Sequence, residues 1–343
     1  MRHVVNVTII ILVSIFALLF IADNVQWMPV QASAEARLID WLFNLHIDII
    51  VVLYVLVNGI LLYSVFVFRR KKDDPSEGVY FHGNTRLEIL WTVIPLITVI
   101  YFAVLGAGVL RQTLEAADDE LEVVVTARQW TWTFEYPEWG IASTELNLPV
   151  DRRVKLVLYS EDVTHSFWVP EFRLKQDTVP GQEHHLRVTP TRIGTYKVRC
   201  AELCGTSHAY MEAPVNVMSA EDFEIWRQKR LGIYVPPEGE AEAAPQDPIA
   251  LGRQVATSAG CTACHSVDGS ALVGPTWKGL FGNMRTFTDG TTAVADEAYI
   301  HESIVNPSAK IVSGFQDVMP KNYGDVLTEA EINALIEYIK SLQ

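Results

Sequence analysis

The rhythm of hydrophobic and polar positions changes three times along the chain. First come three long apolar runs. Val4–Ile21 is interrupted only by Asn6, Thr8 and Ser14, Ile49–Phe68 only by Asn58, Gly59 and Ser64, and Ile89–Leu110 carries Pro95 near its start. Runs of this length span the hydrocarbon core of a bilayer as helices. The first follows Met1, Arg2 and His3 and has two readings. It is either a signal peptide cut after Ala32-Ser33-Ala34, with Glu35 starting the mature chain, or a retained helix. Its length and its distance from that site favour the retained helix. Arg69-Arg70-Lys71-Lys72 closes the second run and places residues 69–88 in the cytoplasm. The second run then crosses inward and the third returns, which puts the chain beyond residue 112 on the outer face.

From residue 118 to 219 the pattern shortens to strands. Leu121–Thr126, Val154–Tyr159, Glu183–Val188 and Thr195–Arg199 are short, β-rich and separated by Gly, Pro and Asp/Asn turns. That spacing predicts a β-sandwich. Gln129-Trp130-Thr131-Trp132-Thr133-Phe134-Glu135-Tyr136 reads as another strand with alternating aromatics. An amphipathic segment, Ala220–Leu231, closes this region. Residues 235–248 are rich in Pro, Ala and acid with no apolar period, a linker composition. Helical spacing then returns at Pro248–Ser258 and Thr328–Leu342. Ile332, Leu335, Ile336 and Ile339 share one face of the latter.

The expected organisation is therefore multidomain. Residues 1–40 hold the first helix or signal segment and a connector, and 41–112 a transmembrane hairpin. Residues 113–233 form a β domain, 234–248 a linker and 249–343 an all-α domain. A hydrophobic share of 49% fits membrane helices beside soluble domains. A net charge of −14 argues against nucleic acid. It is compatible with attraction of a basic protein partner, and equally with simple solubility.

The four cysteines fall in two short motifs. The first, Cys200-Ala-Glu-Leu-Cys204-Gly-Thr-Ser-His208-Ala-Tyr-Met211, collects thiol, imidazole and thioether in one loop. Soft copper prefers that ligand set. A disulfide between the two cysteines is the structural alternative, and a single-copper site needs only one Cys. His165 in Val-Thr-His-Ser-Phe-Trp is the candidate for a further ligand from outside the loop. The second motif, Cys261-Thr-Ala-Cys264-His265, is C-x-x-C-H and signals covalent haem c, with His265 on the iron. A zinc site lacks further ligands nearby, and a thioredoxin-like site lacks its βαβ setting. Met319 and Met284 are the available sixth ligands, and a Met there raises the haem potential. The remaining histidines, His46, His82, His184, His185 and His301, match no metal spacing.

The upstream His with Cys-x-Glu-x-Cys-x-x-x-His-x-x-Met resembles the binuclear copper domain of cytochrome c oxidase subunit II. The resemblance implies a cupredoxin fold and two bridged coppers on His165, Cys200, Glu202, Cys204, His208 and Met211. It implies that Glu202 meets copper through its backbone carbonyl, while its side chain reaches magnesium or manganese at the subunit I interface. Trp130 matches the position where electrons enter, and Trp132, Phe134 and Tyr136 fall to packing. Glu88 in Leu-Glu-Ile-Leu-Trp matches a residue near the mouth of a proton channel, although an acid there also complements a helix dipole. Met319-Pro320 before the last helix resembles class I cytochromes c, which favours Met319 over Met284.

As a whole the chain is similar to subunit II of bacterial caa-type haem-copper oxidases. The family implies a multi-pass plasma-membrane protein with both redox domains on the outer (periplasmic or extracellular) face. It implies assembly with subunit I and other subunits, and an external redox protein as donor. Electrons pass from haem c to the copper pair and on to subunit I, where dioxygen is reduced to water and protons are pumped. A copper-containing nitric oxide reductase and a stand-alone membrane-anchored electron carrier are the alternatives.

Overall fold

The computed structural model describes residues 2–70, 72, 75, 77, 78, 80–236 and 247–343. Most of the expected linker, and Lys71 of the basic cluster, lie outside the described residues. The chain divides into two compact units, Met1–Val30 with Ala36–Glu115, and Gln31–Glu35 with Ala116–Gln343.

The first unit contains three helices long and apolar enough to cross a membrane: α1 (Arg2–Asn24), α2 (Ala34–Val67) and α3 (Thr85–Leu114). Helix α2 starts well before its apolar run, with Glu35 in its first turn, where a carboxylate complements the dipole. Helix α3 starts at Asn84, whose side chain accepts the amides of Arg86 and Leu87 at 3.1 and 3.3 Å. It continues through Pro95.

The second unit begins its folded part with ten strands: β1 (Leu121–Arg128), β2 (Thr131–Tyr136), β3 (Ile141–Ser143), β4 (Leu146–Pro149), β5 (Val154–Ser160), β6 (His165–Val169), β7 (Leu174–Thr178), β8 (His184–Val188), β9 (Gly194–Cys200) and β10 (Glu212–Met218). They form two five-stranded sheets, ordered β3-β2-β1-β5-β8 and β4-β10-β9-β6-β7. Pairs β1–β5 and β4–β10 are parallel and the others antiparallel. This is the cupredoxin-like arrangement. Leu121, Val123, Val125 and Ala127 alternate inward from β1 and meet Trp132, Phe134, Leu146, Leu148 and Phe167, all essentially fully buried. Each such side chain contributes about 1.5–3 kcal/mol by leaving water. Tyr136 joins the two sheets: its hydroxyl donates to the Asn147 carbonyl and accepts the Asn147 amide, both at 2.8 Å. Burial pushes its phenol far above the ordinary range. Helix α4 (Ala220–Leu231) closes the sandwich through buried Phe223, starts on a Ser219 cap and stops at left-handed Gly232.

The C-terminal module comprises α5 (Pro248–Ser258), β11 (Met284–Thr286), β12 (Thr292–Val294), α6 (Glu297–Val305), α7 (Tyr323–Val326) and α8 (Glu329–Ser341). Helix α8 opens with a capping box between Thr328 and Glu331, so two orphan amides are satisfied reciprocally. Its apolar face packs on α5, where Gly252 lets the two backbones touch. A Cβ there would sit 2.0 Å from the Ala334 carbonyl oxygen. The β11–β12 hairpin departs from the all-α expectation. Gly290 at positive φ and the Asp289 side chain, which accepts the Thr291 amide, form its turn. Neither residue carries the hydrophobic period that sequence reading relies on.

Candidate functional site

Two ligand clusters lie in the second unit. The first sits at one end of the sandwich. Strand β9 ends at Cys200 and β6 begins at His165, and the two strands pair through Phe167 and Cys200. The loop from 201 to 211 then returns so that the Cys200 amide donates to the Met211 carbonyl at 3.1 Å. That closure brings the side chains together. Cys200 Sγ lies 3.6 Å from Cys204 Sγ and 3.9 Å from His165 Nδ1. Cys204 Sγ lies 3.5 Å from His208 Nδ1 and 3.8 Å from Met211 Sδ. Each sulfur thus has the other sulfur and one imidazole, and the thioether stands beside Cys204. His165, Cys200, Cys204 and Met211 are buried. Both cysteines are free thiols.

Glu202 approaches this cluster through its main chain, its carbonyl oxygen lying 3.2 Å from Cys200 Sγ. Its carboxylate is not part of the group of ligand atoms drawn from His165, Cys200 and Cys204, which lie within 4.8 Å of one another. The charge balance suits a cation. Hydrogen bonding from Cys204, opposed by burial and reinforced by His165, holds the Cys200 thiol down at about 3. The same contact, then burial, pushes Cys204 far up. One proton therefore serves two sulfurs, and a soft cation between them takes over its role.

Sequence reasoning missed the partner of His165. Asp162 Oδ1 lies 2.8 Å from His165 Nε2. Nε2–H donates to the carboxylate, which leaves Nδ1 as the lone-pair nitrogen facing the thiols. Burial pulls the imidazolium down, but Asp162 and then Cys200 outweigh it, so the His165 pKa is raised. Asp162 also accepts the amides of Gln129 and Val163 at 2.8 and 2.6 Å. These bonds, led by the one from His165, overcome desolvation and hold its carboxyl below the ordinary value. No spacing rule singles out Asp162, because it sits in a loop.

The second cluster lies in an apolar cavity lined by Cys261, Cys264, His265 and Met319, with Trp277, Leu280, Tyr299, Ile300 and Ile304 among its walls. Gly260 at positive φ starts the turn that carries both cysteines. His265 Nδ1 donates to the Pro275 carbonyl at 2.7 Å and the ring stacks on Trp277. A carbonyl can only accept, so Nε2 is the nitrogen left to bind a metal. Gly274 permits this fit: a Cβ there would lie 2.8 Å from His265 Cε1. Burial lowers the His265 pKa, which keeps the ring neutral as a ligand requires, and pushes the Cys261 and Cys264 thiols up to about 12 and 11. Met284 does not line the cavity and is largely exposed on β11.

Trp130 belongs to both places. It lies in the turn between β1 and β2, outside the strand expected for the aromatic run. Its Nε1 donates to the Cys204 carbonyl at 3.1 Å, and the residue is among those lining the cavity of Cys261 and His265, with its carbonyl beside Gly260. Trp132, Phe134 and Tyr136 are fully buried in the sandwich. Glu88 lies apart, at the head of α3, where its Oε1 accepts the Asn84 amide at 3.2 Å. Of the unassigned histidines, His46 contacts the Leu42 carbonyl and His301 pairs with Glu329.

Three family descriptions match the chain in order. "Cytochrome C oxidase subunit II, transmembrane domain" covers residues 21–107, and "Cytochrome C oxidase subunit II, periplasmic domain" covers 141–219. "Cytochrome c" covers 249–343. The cytochrome c oxidase subunit 2 of Alkalihalophilus pseudofirmus is 32% identical over 315 residues, 89% of this chain and 88% of the relative. The chain belongs to the cytochrome c oxidase subunit II family. The subunit 2 of Synechocystis sp. is 34% identical over 255 residues, 61% of this chain and 77% of the relative. That of Bacillus subtilis is 31% identical over 319 residues, 83% and 82% respectively.

Membership brings a coarse assignment with it. The chain is a subunit of a haem-copper oxidase, associated with subunit I and anchored in a membrane by its apolar helices. It carries a fused cytochrome c module. Its cupredoxin-like and cytochrome c modules imply copper and haem c. The two ligand clusters fit those groups: a buried thiolate, imidazole and thioether set for copper, and a buried C-x-x-C-H turn facing an apolar cavity for haem.

Proposed function

We propose that this chain is the relay that brings electrons into a proton-pumping, dioxygen-reducing oxidase. Bound at the two clusters, haem c and a pair of coppers supply one-electron transfer from an external protein donor towards subunit I, where dioxygen becomes water. The residues of this chain hold, separate and connect those groups. Cys261 and Cys264 would hold haem c covalently, with His265 and Met319 available to its iron. Cys200 and Cys204, with His165, His208, Met211 and the Glu202 carbonyl, would hold the coppers. The Glu202 carboxylate would serve a magnesium or manganese ion shared with subunit I, a hard ligand for a hard cation. Both redox modules stand on the outer face of a bacterial plasma membrane, and Glu88 serves the mouth of a proton channel in the partner.

One observation carries this reading. Trp130 contacts the copper loop with its indole N–H, and the same residue is among those lining the cavity of Cys261 and His265, with its carbonyl beside Gly260. A single residue placed between two one-electron sites suits a relay. The β frame supports it further, because side chains on paired strands change position little between redox states. The test is spectroscopic and kinetic. The purified complex is expected to show a low-spin c-type haem, a mixed-valence two-copper EPR signal and dioxygen consumption with a reduced protein donor. One copper per chain, or turnover with nitric oxide in place of dioxygen, would refute it.

A further inference from the structure

Helix α4 belongs to the copper module, yet its last turn reaches the cytochrome module. Arg230 projects from that turn and is only 17% exposed, a low value for a cation. Its Nη2 donates to the Ala142 carbonyl on β3 at 2.5 Å and to the Val326 carbonyl at the end of α7 at 2.9 Å. Its Nη1 lies 3.3 Å from Glu331 Oε2, the carboxylate that also caps α8. One planar guanidinium therefore ties a strand of one module to two helices of the other. A basic residue in a last helical turn has an ordinary explanation, since it complements the dipole. That explanation predicts an exposed side chain turned to its own helix end, and Arg230 is neither.

Among the described residues, neutral hydrogen bonds also join the modules. Ser207 Oγ donates to the Ala263 carbonyl at 2.8 Å, Thr131 Oγ1 to the Ala259 carbonyl at 3.4 Å, and Asn322 Nδ2 to Thr133 Oγ1 at 3.2 Å. Arg128 and Glu161 of one module and Asp317 of the other border a polar cleft that Trp130 also lines. No buried ion pair crosses that cleft among the described residues.

We propose that Arg230 is a latch: a positioning residue that holds the cytochrome module docked with its cavity against Trp130. The proposal rests on the relay reading for its purpose, and on Arg230 geometry for its existence. A tether alone keeps the modules near each other but sets no orientation. Charge-assisted bonds to two carbonyls and a carboxylate do set it, through the planar fork that Lys lacks. Arg230 also stands three residues before Ile233, close to where the linker sequence begins.

The test uses the full chain within its complex. Hydrogen exchange, read by mass spectrometry, reports docking without reference to redox chemistry. In Arg230→Ala, amides of residues 204–208, 259–263 and 322–327 are expected to exchange about tenfold faster, while β5 and β10 keep their protection. Haem-to-copper electron transfer after flash reduction should slow about tenfold, and slow further as salt is raised. Arg230→Lys should restore neither, because three donors on one small ammonium cannot reproduce the planar fork that spans two carbonyls and a carboxylate. Unchanged exchange in both variants overturns the latch. If wild-type haem fails to reduce the copper at all, the relay reading fails, whatever the exchange data show. Should Arg230→Ala not accumulate, Arg230→Lys carries the test, and wild-type exchange in it overturns the proposal.

Discussion

Trp130 donates its indole N–H to the carbonyl of Cys204 at 3.1 Å. The same residue is among those bordering the cavity that holds Cys261 and His265, with its carbonyl beside Gly260. A tryptophan in a turn is thereby held at its ring by the copper loop and at its main chain by the cytochrome module. Trp130→Phe keeps an aromatic surface but loses the hydrogen bond, and Trp130→Ala loses both. Electron transfer from haem to copper is expected to slow modestly in the first and by about a hundredfold in the second, an estimate for losing an aligned bridge. Transient absorption on the reduced haem band checks this, with unchanged copper EPR as the control.

Asp162 is acceptor-only, and three donors converge on it: His165 Nε2–H and the amides of Gln129 and Val163. Asparagine would turn an NH2 group towards one of them. Asp162→Asn should lower copper affinity by about 10–100-fold, the usual effect of losing a ligand's outer partner. Competition with a copper chelator measures it, and the haem spectrum should not change.

Copper loading should release protons. Cys200 is held at about 3 and is a thiolate throughout the neutral range, whereas Cys204 is raised and keeps its proton. Copper must displace that proton, so apparent affinity rises with pH and falls as pH drops. Calorimetry at pH 7 in buffers of different ionisation enthalpy should report at least one proton released per chain. No dependence on buffer would contradict the shared-proton arrangement.

Met319 lines the haem cavity and Met284 does not. Met319→Ala is expected to lower the haem potential and convert the iron from low to high spin, because Met ligation raises potential. Met284→Ala should leave both unchanged. Redox titration with optical monitoring separates the two methionines directly.

Gly252 is where α5 meets α8. An added Cβ would lie 2.0 Å from the Ala334 oxygen and 2.7 Å from Tyr338 Cβ. Neither backbone can yield without parting the helices, so Gly252→Ala should destabilise the cytochrome module by at least the ~1–3 kcal/mol typical of overpacking. Thermal melts followed at the haem band should show a lower midpoint, while melting of the copper chromophore stays in place.

Much of this molecule was legible in its residue order, and the legible parts share a cause. The apolar runs of α1 and α3, the amphipathic α4 and the helices α5 and α8 depend on local periodicity, which a single strand of sequence carries in full. The Cys200–Met211 loop and the C-x-x-C-H turn compress most of their ligands into a dozen residues or fewer, so spacing alone exposes them. Strand β2 shows where local pattern stops. Alternation predicts one buried face, but Thr131 and Thr133 are buried as well as Trp132 and Phe134. The cytochrome module covers the outer face and takes hydrogen bonds from or to both threonines. Ser207 and Arg230 gained their roles in the same way, by meeting residues of the other module far along the chain. Such contacts leave no period or motif behind, because they depend on where two separately folded modules come to rest.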